Sequence, residues 1–178
     1  MLTAGGPSSR ISNARRRIVS AVADRLAELG LALPAPLAPP PGVLLPFSPV
    51  LLRGDRAIVS GHGPQHVDGS LAGPFGKVGT DVTPQQAYTS ARLVALSILA
   101  SLDRTLGELD RITGFVRVFG MVNAAAGFTA LPGVINGFSD LVLEVFGPEV
   151  GAHARSAVGV AELPFSIPVE IECEVAIR

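Results

Sequence analysis

The stretch Val169-Glu-Ile-Glu-Cys-Glu-Val-Ala-Ile177 constrains this chain more than any other segment. Side chains two apart on an extended strand share a face. Val169, Ile171, Cys173, Val175 and Ile177 therefore make one apolar face, and Glu170, Glu172 and Glu174 line the other. A strand of this kind is half-buried, and its apolar face needs a covering layer of other elements. Cys173 falls on the packed face and reads as an inert core thiol. Glu172 and Glu174 read as solvated. Glu170 lies nearest the turn that returns the chain towards Arg155, so it reads as that guanidinium's ion-pair partner or as an acid-base group.

The covering layer is legible upstream. Thr83-Pro84-Gln85-Gln86 supplies a capping hydroxyl, a proline at the first helical position and a glutamine placed to close a capping box. Ala87, Ala91, Val94, Ala95, Ile98 and Leu102 then form a broad apolar stripe. A second helix spans Pro132 to Phe146, with Val134, Phe138, Leu141, Val142 and Val145 on one face and Gly147-Pro148 as the stop. Strands are expected at Val50–Leu52 and Arg56–Ser60, joined as a hairpin around Gly54-Asp55. Others are expected at Ile112–Phe119, bounded by Gly120, and at Ser156–Ala161, before a turn at Leu163-Pro164. The order is two strands, helix, strand, helix, two strands.

The N-terminal part is different. Residues 1–17 carry Arg10, Arg15, Arg16 and Arg17 without an acid and read as a disordered tail. The following apolar stretch is broken too early by Asp24, Arg25 and Glu28 for a secretory signal. Residues 18–42 read as an amphipathic helix and a proline-rich linker. Ile18, Val22, Leu26 and Leu29 recur at helical spacing before Gly30, and seven prolines between Leu33 and Pro49 favour an extended strap. The core domain is expected to run from Val43 to Arg178. In a chain of 178 residues with formal charge −1, no electrostatic footprint for nucleic acid or an anionic membrane is present. A lone cysteine excludes an internal disulfide and any multi-cysteine zinc site, and the chain reads as a cytoplasmic protein.

Arg155 stands among small and apolar residues in His153-Ala-Arg-Ser-Ala-Val-Gly-Val-Ala-Glu-Leu-Pro164. An unpaired buried guanidinium costs several kcal/mol, so a carboxylate of the protein or of a ligand should meet it. The three histidines do not suggest a metal. His62 and His66 flank Gly63-Pro64, which forbids a helical pair of ligands, and His62 reads as a loop histidine bonded to backbone. Gly73-Pro-Phe-Gly-Lys-Val-Gly79 lacks the spacing of a phosphate loop and reads as an ordered surface loop.

The segments Phe47–Gly61 and Ala154–Pro164 resemble the reactive-intermediate deaminase family, also called Rid or YjgF and historically endoribonuclease L-PSP. Gly76-Lys-Val-Gly79, Val134-Ile-Asn-Gly137 and Glu144-Val-Phe-Gly147 are similar to its chorismate-mutase-like branch, and the likeness extends over roughly residues 18–178. The resemblance implies an α+β fold, a mixed sheet backed by two helices, assembled as a homotrimer with ligand clefts between subunits. It implies hydrolysis of a small enamine or imine bearing a carboxylate, of the 2-aminoacrylate type, to a 2-oxo acid and ammonia, with no cofactor and no metal. On that likeness Arg155 clamps the substrate carboxylate and Glu170 serves the attacking water. Ser60, Gly61 and Asn136 line the pocket, with Phe47 where the family commonly has a tyrosine and Ala157 where it often has a cysteine. Those two departures leave a non-catalytic carboxylate-binding trimer as the alternative, and a ribonuclease as a third reading.

Overall fold

The computed structural model describes residues 20–39 and 41–178. The tail expected over residues 1–17 and the first turn of the expected N-terminal helix lie outside them. Helix α1 (Ala21–Glu28) opens on Ser20, whose hydroxyl accepts from the Ala23 amide at 3.1 Å. It ends where Gly30, at φ +65°, lets the Leu31 amide reach back to the Leu26 carbonyl and its own amide to Ala27, which satisfies carbonyls the last turn leaves open. Val22 and Leu26 anchor α1 in the main core. The prolines that follow form a strap, held by amides of Ala35 and Ala38 on the carbonyls of Val67 and Gly69.

The remaining elements are β1 (Val50–Arg53), β2 (Arg56–His62), α2 (Pro84–Leu106), β3 (Ile112–Asn123), α3 (Leu131–Gly151), β4 (Ala154–Val160) and β5 (Val169–Ile177). They make one mixed five-stranded sheet in the order β1-β2-β5-β3-β4, antiparallel throughout except for the β3–β4 pair. A parallel pair needs a crossover, and α3 supplies it. The capping box of α2 is formed, Thr83 donating its amide to Gln86 Oε1 at 2.9 Å and accepting from the Gln86 amide at 3.2 Å. Helices α2 and α3 lie side by side on one face of the sheet. Gly137 of α3 makes that approach possible, because a Cβ there would lie 3.0 Å from the Tyr88 carbonyl carbon and closer still to its oxygen. The Arg92 guanidinium donates to both carboxylate oxygens of Glu144, at 3.0 and 2.7 Å, across the same seam.

Three expected boundaries shift. Gly120 does not end β3, which continues to Asn123; the glycine is there because Ile135 of α3 occupies the space a Cβ would take, its side-chain atoms 2.6 to 2.8 Å from that position. Strand β4 begins at Ala154 rather than Ser156, so Arg155 is a strand residue, paired with Val118 of β3. Helix α3 breaks at Gly147, as Gly147-Pro148 suggested, but the chain resumes a helical turn to Gly151. On β5 the alternation holds: Val169, Ile171 and Val175 are fully buried against the helices, and Cys173 is buried beside them. Glu172 is exposed, whereas Glu174 is not simply solvated: Arg56 of β2 donates to it at 2.7 Å.

Candidate ligand-binding site

Arg155 projects from the edge strand β4 over the N-terminal half of α3. Its Nη1 donates to Ser139 Oγ at 2.9 Å, and its Nη2 donates to the Pro132 carbonyl at 3.1 Å and to Asn136 Oδ1 at 2.6 Å. Positions 132, 136 and 139 recur at i, i+4 and i+7, one face of a helix. All three acceptors are neutral, and among the described residues no carboxylate lies within ion-pair distance of the guanidinium. Of its five N–H donors, two have no partner among the described residues. Arg155 and Asn136 are thus brought together, and Ala157 lies beside them, half-buried on the same side of β4 and packed against the core.

Ser139 and His153 belong to this group and were not singled out for it in the sequence. His153 Nδ1–H donates to the Gly151 carbonyl at 2.7 Å, and its Nε2 pairs with Ser139 Oγ at 2.9 Å. The ring is wedged edge-on against Phe138. The hydroxyl that accepts from Arg155 is therefore held by a histidine that is itself pinned. A signal existed: Ser139 follows Asn136 by one helical turn, and His153 precedes Arg155 by two residues.

The expectation that Glu170 approaches Arg155 is overturned within the protomer. Glu170 pairs with Met121 of β3, and β3 stands between β5 and β4. Because Val169 and Ile171 face the helices, Glu170 faces the opposite side of the sheet from Arg155. Its carboxyl lies over Gly61 of β2, where a Cβ would sit 2.9 Å from Glu170 Cδ. Burial, and then the charge of Glu172, raise its pKa above the ordinary carboxylate value. Ser60 precedes Gly61 on β2, its hydroxyl donating to the Ser48 carbonyl at 2.8 Å. Phe47 is on the strap, half exposed, at the wall of a cavity that runs under it. The expected site residues thus fall into two groups: Arg155, Asn136 and Ala157 at the β4 edge, and Glu170, Ser60, Gly61 and Phe47 towards the β1–β2 edge.

A β-bulge explains a residue the alternation would misplace. Between the pairs Val59–Cys173 and His62–Ile171, β2 carries one residue more than β5. The extra residue turns His62 towards α2, where its Nδ1–H donates to the Ser60 carbonyl at 2.7 Å and its Nε2 meets Ser101 Oγ at 2.9 Å. It is bonded to backbone, as expected, but also to a helix. His66 is exposed. Lys77, in the glycine-rich loop, is bound to Asn123 Oδ1 at 3.1 Å, to Glu162 at 3.1 Å and to the Ala161 carbonyl, which ties that loop to the ends of β3 and β4. Among the described residues no group of three or more histidine, cysteine, aspartate or glutamate side chains is placed to hold a metal ion, and no helix is long and apolar enough to cross a membrane.

Known proteins share this arrangement of elements. A protein from Agrobacterium tumefaciens, Atu1372, described as of unknown function, superposes with a TM-score of 0.79 at 37% identity, over 89% of this chain and 93% of that one. A "putative endoribonuclease" from Shewanella oneidensis gives 0.80 at 30% identity, over 88% of this chain and 99% of that one. In sequence, protein TCP17 of Trypanosoma cruzi is 39% identical over 158 residues, 88% of this chain and 94% of its own length. Residues 23–173 match the family described as "YjgF/chorismate mutase-like, putative endoribonuclease", and with the sheet order, the paired helices and these relatives in agreement, the chain belongs to that family.

Proposed function

We propose that the protein hydrolyses small enamines or imines that carry a carboxylate, of the 2-aminoacrylate type, to a 2-oxo acid and ammonia. The observation that carries this reading is the guanidinium of Arg155 at a sheet edge, fixed among the described residues by neutral acceptors alone, with two of its donors unpaired there. A planar fork of this kind suits a planar carboxylate. The enamine takes a proton on carbon to become an imine, water adds to the imine carbon, and the C–N bond breaks with departure of ammonia. Glu170 takes the proton from water and returns one to the leaving nitrogen. A carboxyl whose pKa is raised by burial suits that exchange, because it binds and releases protons nearer neutrality. An imine is already electrophilic, so orientation and one proton-handling group suffice.

The two groups of site residues lie towards opposite edges of the sheet, which supports a cleft between copies in a closed trimer. One subunit's β4 edge would present Arg155 and Asn136 to the next subunit's Glu170, Ser60, Gly61 and Phe47. The sheet face away from the helices carries exposed Leu51 and Ile58, apolar surface that such a ring would cover. A monomer in sedimentation at micromolar concentration would refute the assembly.

The test of activity is 2-oxo acid release from 2-aminoacrylate above the spontaneous rate, abolished by Arg155→Ala. Purified, folded protein that adds nothing to the spontaneous rate sinks the proposal. If it nevertheless binds small carboxylates in an Arg155-dependent way, the non-catalytic trimer suggested by Phe47 and Ala157 takes its place. An endoribonuclease reading follows the family description and the Shewanella relative, but the formal charge of −1 and the engagement of His62 and His153 in internal hydrogen bonds favour a small acid over RNA.

A further inference from the structure

The proline strap roofs a cavity of about 370 Å³ between the end of β2 and the C-terminal half of α2. That is space for about a dozen water-sized volumes, within the range of small-molecule sites. Pro36, Leu37, Leu45, Phe47 and Val50 give it an apolar roof and wall. At its other side three polar side chains are wired in series. Arg104 Nη2 donates to Ser101 Oγ at 3.0 Å, Ser101 Oγ meets His62 Nε2 at 2.9 Å, and His62 Nδ1–H donates to the Ser60 carbonyl at 2.7 Å. With Nδ1–H committed to the Ser60 carbonyl, a neutral ring takes the Ser101 proton at Nε2, while a lone pair of Ser101 Oγ accepts from arginine. Burial, with the charge of Arg104 acting in the same direction, holds the His62 pKa below its ordinary value despite the bond to Ser60.

The positive charge at this side therefore belongs to Arg104 alone. Among the described residues its one other hydrogen bond is from Nη1 to the Pro34 carbonyl of the strap at 3.1 Å, and no carboxylate lies within ion-pair distance of it. Arg104 is exposed and lines the chamber, with donors left unpaired among the described residues. A lone cation beside an apolar chamber selects a singly charged acid with an apolar body, because a second charge would be desolvated without a partner.

We propose that the chamber under the strap is a second ligand site, which takes a small amphipathic monocarboxylate with its acid group on Arg104 and its apolar part beneath Leu37, Leu45 and Phe47. Within one protomer Arg155 stands at the other edge of the sheet; Phe47 and Gly61 border both this chamber and the cleft proposed above, and the acid-binding group of the chamber is Arg104. The site does not depend on imine hydrolysis, which could fail without touching it.

The test is titration calorimetry of the full chain with octanoate, and with octanol as the uncharged control. One octanoate should bind per chain, with octanol at least tenfold weaker. Arg104→Gln should weaken octanoate at least tenfold, and so should Leu37→Asp, a change in the half-exposed strap that spares the core. Arg155→Ala should leave octanoate affinity unchanged. Circular dichroism identifies any variant that fails to fold, and the control with octanol needs no variant at all. Absence of octanoate binding, equal binding of octanol, indifference to Arg104→Gln in folded protein, or loss on Arg155→Ala would each overturn the proposal.

Discussion

Replacing Gly61 by alanine should separate the chemistry of Glu170 from its contribution to stability. A Cβ at position 61 would stand 2.9 Å from Glu170 Cδ and 3.2 Å from Cγ, with the carboxylate oxygen nearer still, whereas ordinary contact begins near 3.4 Å. The carboxyl must therefore retreat by at least about half an ångström, and its oxygen by more. The obstacle is the far end of a flexible side chain, so the backbone need not move. Gly61 lies outside the left-handed region, and at such positions alanine gains about 0.4–1 kcal/mol by restricting the unfolded chain, which offsets the strain. Stability should change by less than about 1 kcal/mol, measured by denaturant unfolding. Displacement of a catalytic group by about 1 Å can cost about 10²-fold in rate, and kcat/KM on 2-aminoacrylate should fall by that order. In a Glu170→Gln background, Gly61→Ala should have no further effect on rate. Full activity in folded Gly61→Ala protein, or an additional loss in the Glu170→Gln background, would refute the reasoning that places the proton-handling carboxyl over Gly61.

Glu170→Gln should also change the pH dependence of stability. A carboxyl whose folded pKa is raised above its unfolded value of 4.5 is protonated in both states at lower pH and costs nothing there; as pH rises, the unfolded chain ionises first and the native state loses ground. The variant should match the parent in Tm below about pH 4.5 and exceed it increasingly towards neutrality. Cys173 is buried and its thiol pKa is raised by desolvation, so it should resist a thiol reagent in the native protein and react completely in guanidinium chloride. Gly137→Ala should destabilise by about 3 kcal/mol in denaturant unfolding, because its Cβ meets a backbone carbonyl of α2 rather than a side chain that can turn away.

How much of this was readable in one dimension depends on the range of the force involved. The Thr83–Gln86 capping box, the Gly54-Asp55 turn and the alternation of β5 are settled by groups a few residues apart, and each is found where the chain placed it. The assignment of Cys173 to the core also agrees with the coordinates. What local pattern could not supply was the insertion of β3 between β4 and β5, which keeps Glu170 and Arg155 a strand apart. Nor could it supply the single extra residue in β2 that turns His62 towards Ser101, since a bulge reverses alternation without a marker of its own. Gly120 looked like a terminus because a glycine lowers strand propensity, whereas Ile135, fifteen positions away, is the reason for it. Periodicity and capping are short-range and belong to the sequence itself. Which strands become neighbours, and which charges meet, follows from burying two helices on one sheet, and only the folded chain decides it.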